Sequence, residues 1–98
     1  MYELNYLAGV KDDYRSLDGS QKKLVNKSLK RIENMGMQAG QPLSGALVGC
    51  RKLKHRKAGL RVIFRESQNG IEIIDIIAIG KREDLKVYKT AEDRMNKK

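Results

Sequence analysis

Ninety-eight residues make one domain of common size, large enough to bury a core without a disulfide or metal staple. A single cysteine, Cys50, excludes an internal disulfide, and there is neither a basic-then-apolar leader nor an apolar run near ~18 residues, so the expectation is a reduced, cytoplasmic protein with no membrane association. The net charge of +9 is uneven: residues 1–50 carry seven bases and five acids, residues 51–98 fourteen bases and seven acids. That excess favours a polyanionic partner, nucleic acid first and an acidic protein second.

In chain order, "YELNY" (2–6) alternates Tyr2, Leu4 and Tyr6 with polar residues and predicts a short strand with one buried face. Leu7, Val10, Tyr14 and Leu17 recur at helical spacing. After the turn "LDGS" (17–20), with Ser20 as the expected N-cap, Leu24, Val25, Ser28, Leu29, Ile32 and Met35 form the stripe of a longer helix that Gly36 is placed to end. Residues 36–49 hold four glycines and the only proline, and read as a loop. "CRKLKH" and "LRVIFRE" flank the turn "RKAG" (56–59), and "GIEIIDIIAIGK" follows the hairpin dipeptide Asn69-Gly70. From Glu83, Leu85, Tyr88, Ala91 and Met95 recur at helical spacing behind acids in the first turn. The expected fold class is α+β: a small antiparallel sheet, the N-terminal strand plus a three-stranded meander, packed against two N-terminal helices with a short C-terminal helix, in a single domain of residues 1–98.

The sheet carries an unusual load, because residues 51–66 hold seven Lys and Arg before the first acid. With a four-residue turn, His55 falls opposite Leu60 and Lys54 opposite Arg61, so Lys52, Lys54 and Arg61 share one face while Leu53, Leu60, Val62 and Phe64 share the other. Extended through Asn69-Gly70, the same reading sets Ala78 beside Arg61 and Ile77 beside Val62. It continues the cationic face through Ala78, Gly80 and Arg82, and it leaves Asp75 on the core face opposite Phe64. Like charges crowded on one flat face oppose folding, which points to an anionic guest, and Arg61 lies mid-sheet rather than on a solvated edge.

These residues resemble the RelE/ParE toxins of bacterial type II toxin–antitoxin systems, the RelE branch in particular. The resemblance is most specific in "LSG" (43–45), "KLKHRKAGLRVIF" (52–64) and "IAIGKREDLKVY" (77–88). It implies a ribosome-dependent mRNA endonuclease that cleaves in the A site without metal or cofactor, the substrate's 2′-hydroxyl attacking the adjacent phosphate. Its catalytic side chains would be Lys52, Lys54, Arg61, Arg82 and Tyr88. Lys52 or Lys54, crowded by cations, would serve as base, Arg61 would grip the developing phosphorane, Arg82 would stabilise the leaving group's charge, and Tyr88 would stack on a base. Arg51, Arg56, Lys57, Arg65 and Lys81 are the expected RNA contacts. The implied partners are the ribosome, mRNA and an acidic antitoxin that covers the patch and displaces the C-terminal helix. Arg51 and Leu60 stand where that branch has aromatic residues.

Other residues have plainer readings. His55 is structural or solvent-facing, Cys50 and Tyr14 belong to the core and a helix stripe, and Asp12 with Asp13 to a solvated helix face. One histidine and scattered acids provide no convergent metal-ligand set. Two alternatives stand beside the nuclease: a ParE-like gyrase inhibitor and a non-catalytic RNA-binding module.

Overall fold

The sheet, not the helices, organises the chain. In the computed structural model, which describes residues 1–96, it has five strands: β1 (Glu3–Tyr6), β2 (Gln41–Pro42), β3 (Cys50–His55), β4 (Leu60–Glu66) and β5 (Ile73–Lys81), in the spatial order β1-β5-β4-β3-β2. Helices α1 (Val10–Arg15) and α2 (Gly19–Met35) lie between β1 and β2, and α3 (Lys86–Asn96) follows β5. Lys97 and Lys98, the last residues of the expected C-terminal helix, lie outside the described residues. Among the described residues no helix is long and apolar enough to cross a membrane.

The α+β class and the β3–β4–β5 meander are as expected, with two differences. Strand β1 pairs parallel to β5, Leu4 opposite Ile74 and Asn5 opposite Asp75. A parallel neighbour needs a crossover, which the helices and the rest of the sheet supply. The glycine-rich loop also contains β2, whose Gln41 and Pro42 cover Lys52 and Arg51 at the sheet edge.

The N-cap of α2 is Asp18, two residues before the expected Ser20. Asp18 accepts from the Gln21 N–H at 2.8 Å and the Gln21 side chain accepts from the Asp18 N–H at 2.9 Å, a reciprocal box that satisfies two otherwise orphaned donors. The Gln21 N–H foremost, then the Ser20 hydroxyl, holds the Asp18 carboxyl below its ordinary pKa. Gly36 closes the helix as expected, at φ +63, where an added Cβ would meet the Tyr2 ring at 2.5 Å.

The β3–β4 register is as the turn length predicts, with Lys52 opposite Ile63 and Lys54 opposite Arg61. The β4–β5 register is not. Residues 67–72 form a six-residue connection, not a two-residue turn, closed by the Ser67 N–H on the Ile73 carbonyl at 2.9 Å. Arg61 therefore faces Gly80, and Ile63 faces Ala78. A bulge follows, since the next pair is Phe64 with Ile76, leaving Ile77 as the extra residue of β5. The bulge restores Asp75 to the face away from α2, opposite Arg65. There it accepts from Arg65 Nε at 3.2 Å and from Asn5 Nδ2 at 2.9 Å. The expected place of Asp75 in the core is thus overturned, because one inserted residue reverses the facing of everything before it.

Two apolar clusters result. The larger joins Val10, Leu17, Val25 and Ile32 of the helical layer to Leu60, Val62, Phe64, Ile74 and Ile76. The smaller, on the opposite face, joins Ile63, Ile77 and Ala78 to Val87 and Ala91 of α3, with Cys50 and Leu47. Ala78 is therefore core, not the floor of a polar face.

Candidate active site

Beyond the reach of α3, the second face of the sheet is open, and the cations gather there. Alternation on β3 and β4 sends Lys52, Lys54 and Arg61 to that side. Gly80 lies beside Arg61 with Val87 3.6 Å from where its Cβ would stand. The chain then leaves β5 through a tight turn, Glu83–Leu85, in which Asp84 and Leu85 take positive φ of 54° and 58°, and this kink starts α3 so that Tyr88 faces back over the strands. The cleft so formed has a volume of about 730 Å³.

Four of the five expected catalytic residues line it: Lys52, Arg61, Arg82 and Tyr88. The Lys52 ammonium stands 5.9 Å from the centre of the Tyr88 ring, within cation–π range. Lys54, across the hairpin from Arg61, is not among the residues lining the cleft, and it borders a separate groove beside α2. Partial desolvation, followed by the charges of Arg56, Lys52 and Arg61, pulls its pKa below the ordinary lysine value.

Arg61 is the least ordinary of the set. It is 6% exposed, its Nη1 donates to the Leu60 carbonyl at 2.8 Å, and its buried Nε has no hydrogen-bond partner. Among the described residues no carboxylate lies within ion-pair distance of it. Buried charges are normally paired, and an unpaired N–H on a buried guanidinium lining an open cleft asks for an anion.

The expected RNA contacts divide. Lys81 lines the cleft, and Arg56 with Lys57 is exposed on the neighbouring β3–β4 turn. Arg51 and Arg65 are engaged elsewhere. Alternation sends Arg51 to the α2 side, where it donates to the carbonyls of Met37 at 3.1 Å and Gly40 at 3.2 Å. Arg65 is held by Asp75 and by the Met95 sulfur at 2.9 Å. His55 faces α2, hydrogen-bonded to Ser28 Oγ, and burial pushes its pKa down with help from Lys27 and Arg61, against the opposing effect of a backbone hydrogen bond at Leu24. The structural reading of His55 fits that position.

Sequence reasoning missed two features. Glu83 and Asp84, read only as first-turn acids, line the cationic cleft. Asp13, read as solvated, grips Arg94 of α3 with both oxygens, at 2.6 and 2.9 Å. No local pattern joins residues so far apart in sequence.

No protein-family model matches this chain. A curated Escherichia coli protein described as a RelE-like toxin is 28% identical over 94 residues, spanning 96% of this chain and 97% of that one. The free E. coli toxin RelE, as a double mutant, superposes with a TM-score of 0.77 at 23% identity, covering 96% of this chain and 97% of that one. The toxin in the intact E. coli RelBE toxin–antitoxin complex gives 0.69 at 22% identity, covering 83% of this chain and 96% of that one. By sequence along nearly its whole length and by its fold, the chain resembles the RelE-like branch of the RelE/ParE superfamily.

Proposed function

We propose that this chain is the toxin of a type II toxin–antitoxin system and that it cleaves mRNA in the ribosomal A site. The observation that carries the reading is Arg61: a buried guanidinium with no carboxylate within ion-pair distance among the described residues, lining a cleft with Lys52, Arg82 and Tyr88. A phosphodiester seated there meets fixed positive charge where the phosphorane develops, which is the preorganised electrostatics that phosphoryl transfer requires. Lys54, with its lowered pKa, is the base that takes the proton of the substrate's 2′-hydroxyl. The oxygen attacks the adjacent phosphorus, the bond to the 5′-oxygen breaks, and a 2′,3′-cyclic phosphate and a 5′-hydroxyl remain. Arg82 stabilises the charge on the departing oxygen, and the Tyr88 ring stacks on a neighbouring base. Among the described residues no three His, Cys, Asp or Glu side chains are grouped to hold a metal ion. The +9 charge suits both an RNA substrate and an acidic antitoxin, and a toxin that acts on ribosomes would work in the cytoplasm.

The test is single-turnover cleavage of mRNA on programmed ribosomes. Arg61→Lys is expected to slow it by about 100-fold, the scale of losing one preorganised donor, with ribosome binding kept. A wild-type protein that leaves ribosome-bound mRNA intact overturns the reading. Inhibition of gyrase by the same protein would replace it with the ParE-like one.

A further inference from the structure

Strand β1 covers the outer edge of β5 only as far as Ile76, so the backbone groups of β5 beyond that point have no strand beside them. Two side chains from opposite ends of the chain take the vacant places. Asp13 of α1 accepts from the Ile79 N–H at 3.0 Å, as a neighbouring strand's carbonyl would. Arg94 of α3 donates to the Ile77 carbonyl at 2.9 Å, as a neighbouring strand's N–H would. The two also bind each other through the double hydrogen bond described above, and their side chains are only 15–16% exposed. Gly9 closes the enclosure, since a Cβ there would lie 2.6 Å from Arg94 Nη2.

Helix α3 is otherwise held by its apolar contacts with the sheet and by the Arg65–Met95 hydrogen bond. Only Val87 and Ala91 are fully buried along it, and it enters through the positive-φ kink at Asp84 and Leu85, so the course of β5 does not fix its direction. Tyr88 lies six residues before Arg94, roughly 9 Å along the axis, and depends on the helix for its place over Lys52. We infer that Asp13 and Arg94 act together as a surrogate strand at the edge of β5, and are positioning residues that hold α3, and with it Tyr88, against the cleft. The role in cleavage rests on the nuclease reading; the anchoring of α3 does not.

The full chain with Arg94→Lys or Asp13→Asn is compared with wild type by amide hydrogen exchange and by single-turnover cleavage on programmed ribosomes. Lysine cannot reproduce the planar fork, and asparagine keeps an acceptor for Ile79 but loses the charge. Each variant is expected to speed exchange in α3 by at least ~10-fold while α2 and β4 stay protected, as a local opening does. Cleavage should slow by about 10- to 100-fold with ribosome affinity unchanged, the cost of a misplaced group. The swap Asp13→Arg with Arg94→Asp restores the charge pair but offers no acceptor to Ile79 and no donor to Ile77, so it should rescue neither measurement. Unchanged exchange in α3, rescue by the swap, or protection lost equally across the whole fold overturns the inference. Faster α3 exchange with undiminished cleavage removes the positioning role. If the wild type itself does not cleave, the exchange data still decide whether the pair anchors α3, and the failure belongs to the nuclease reading.

Discussion

The two faces of the sheet are built for different ends. Against α1 and α2, β4 and β5 present Leu60, Val62, Phe64, Ile74 and Ile76, all fully buried, to a helix of 17 residues capped at both ends. Against α3 the same strands present Ile63, Ile77 and Ala78 to an 11-residue helix, and the rest of that face is a cleft lined with cations. Neighbouring residues of one strand, Leu60 and Arg61, thus serve opposite ends: one is packed in hydrocarbon, the other is a buried charge awaiting a partner. Stability concentrated on one face lets the other tolerate mutual repulsion and an unsatisfied donor, costs a small domain cannot bear throughout.

That division is broken most sharply at Phe64. Phe64→Ala should cost about 3–5 kcal/mol of unfolding free energy in a denaturant titration, because the ring is fully buried and packs so near Gly40 that a Cβ there would lie 2.6 Å from it. A loss under 1 kcal/mol would mean that the α2 face does not dominate the stability. Asp18→Ala, which leaves the Gln21 N–H of the capping box without its acceptor, should lower the melting temperature by a few degrees, and Asp18→Asn by less.

A smaller effect is expected from acid. His55 is neutral against Ser28, with a folded-state pKa below its ordinary 6.5, so its contribution is complete above the unfolded value and is lost as pH falls below 6.5. Melting temperatures measured between pH 7.5 and 5 should fall for wild type and fall less for His55→Gln. The smallest effect on stability falls on the other face. Lys52→Ala with Lys54→Ala should leave the melting temperature unchanged or raise it, since it removes like charges around Arg61, while abolishing cleavage. A clear loss of stability would make these lysines structural. Retained cleavage would remove Lys54 as the base.

How much of this was legible follows from range. The β3–β4 register was, because a four-residue turn and strict alternation fix each other, and with it came the shared face of Lys52, Lys54 and Arg61. The next register was not, because Asn69-Gly70 is a hairpin signal that here sits inside a longer connection, where Glu72 takes the positive φ of 64°. Asp75 was the visible warning: a carboxylate on the predicted core face contradicts the pattern, and the resolution was a bulge that alternation alone does not reveal. Arg51 and Arg65 looked like surface cations because charge carries no sign of what it will meet. Their partners, two loop carbonyls and Asp75, come from folding. The contact of Asp13 with Arg94 joins the two ends of the chain, beyond any periodicity.

The extra residue in β5 also says where the length of this chain can change. Upstream of Ile77, the facing of β5 agrees with β1 and with Arg65; downstream, it agrees with Arg61 and Lys54. Removing Ile77 would join the two halves into a regular strand in which Asp75, Ile76, Ala78 and Gly80 all keep the sides they now occupy. A one-residue deletion at the centre of the sheet is therefore in phase here, whereas an equal deletion one pair to either side of the bulge, with the bulge retained, would shift the reading frame of the strand against its neighbours.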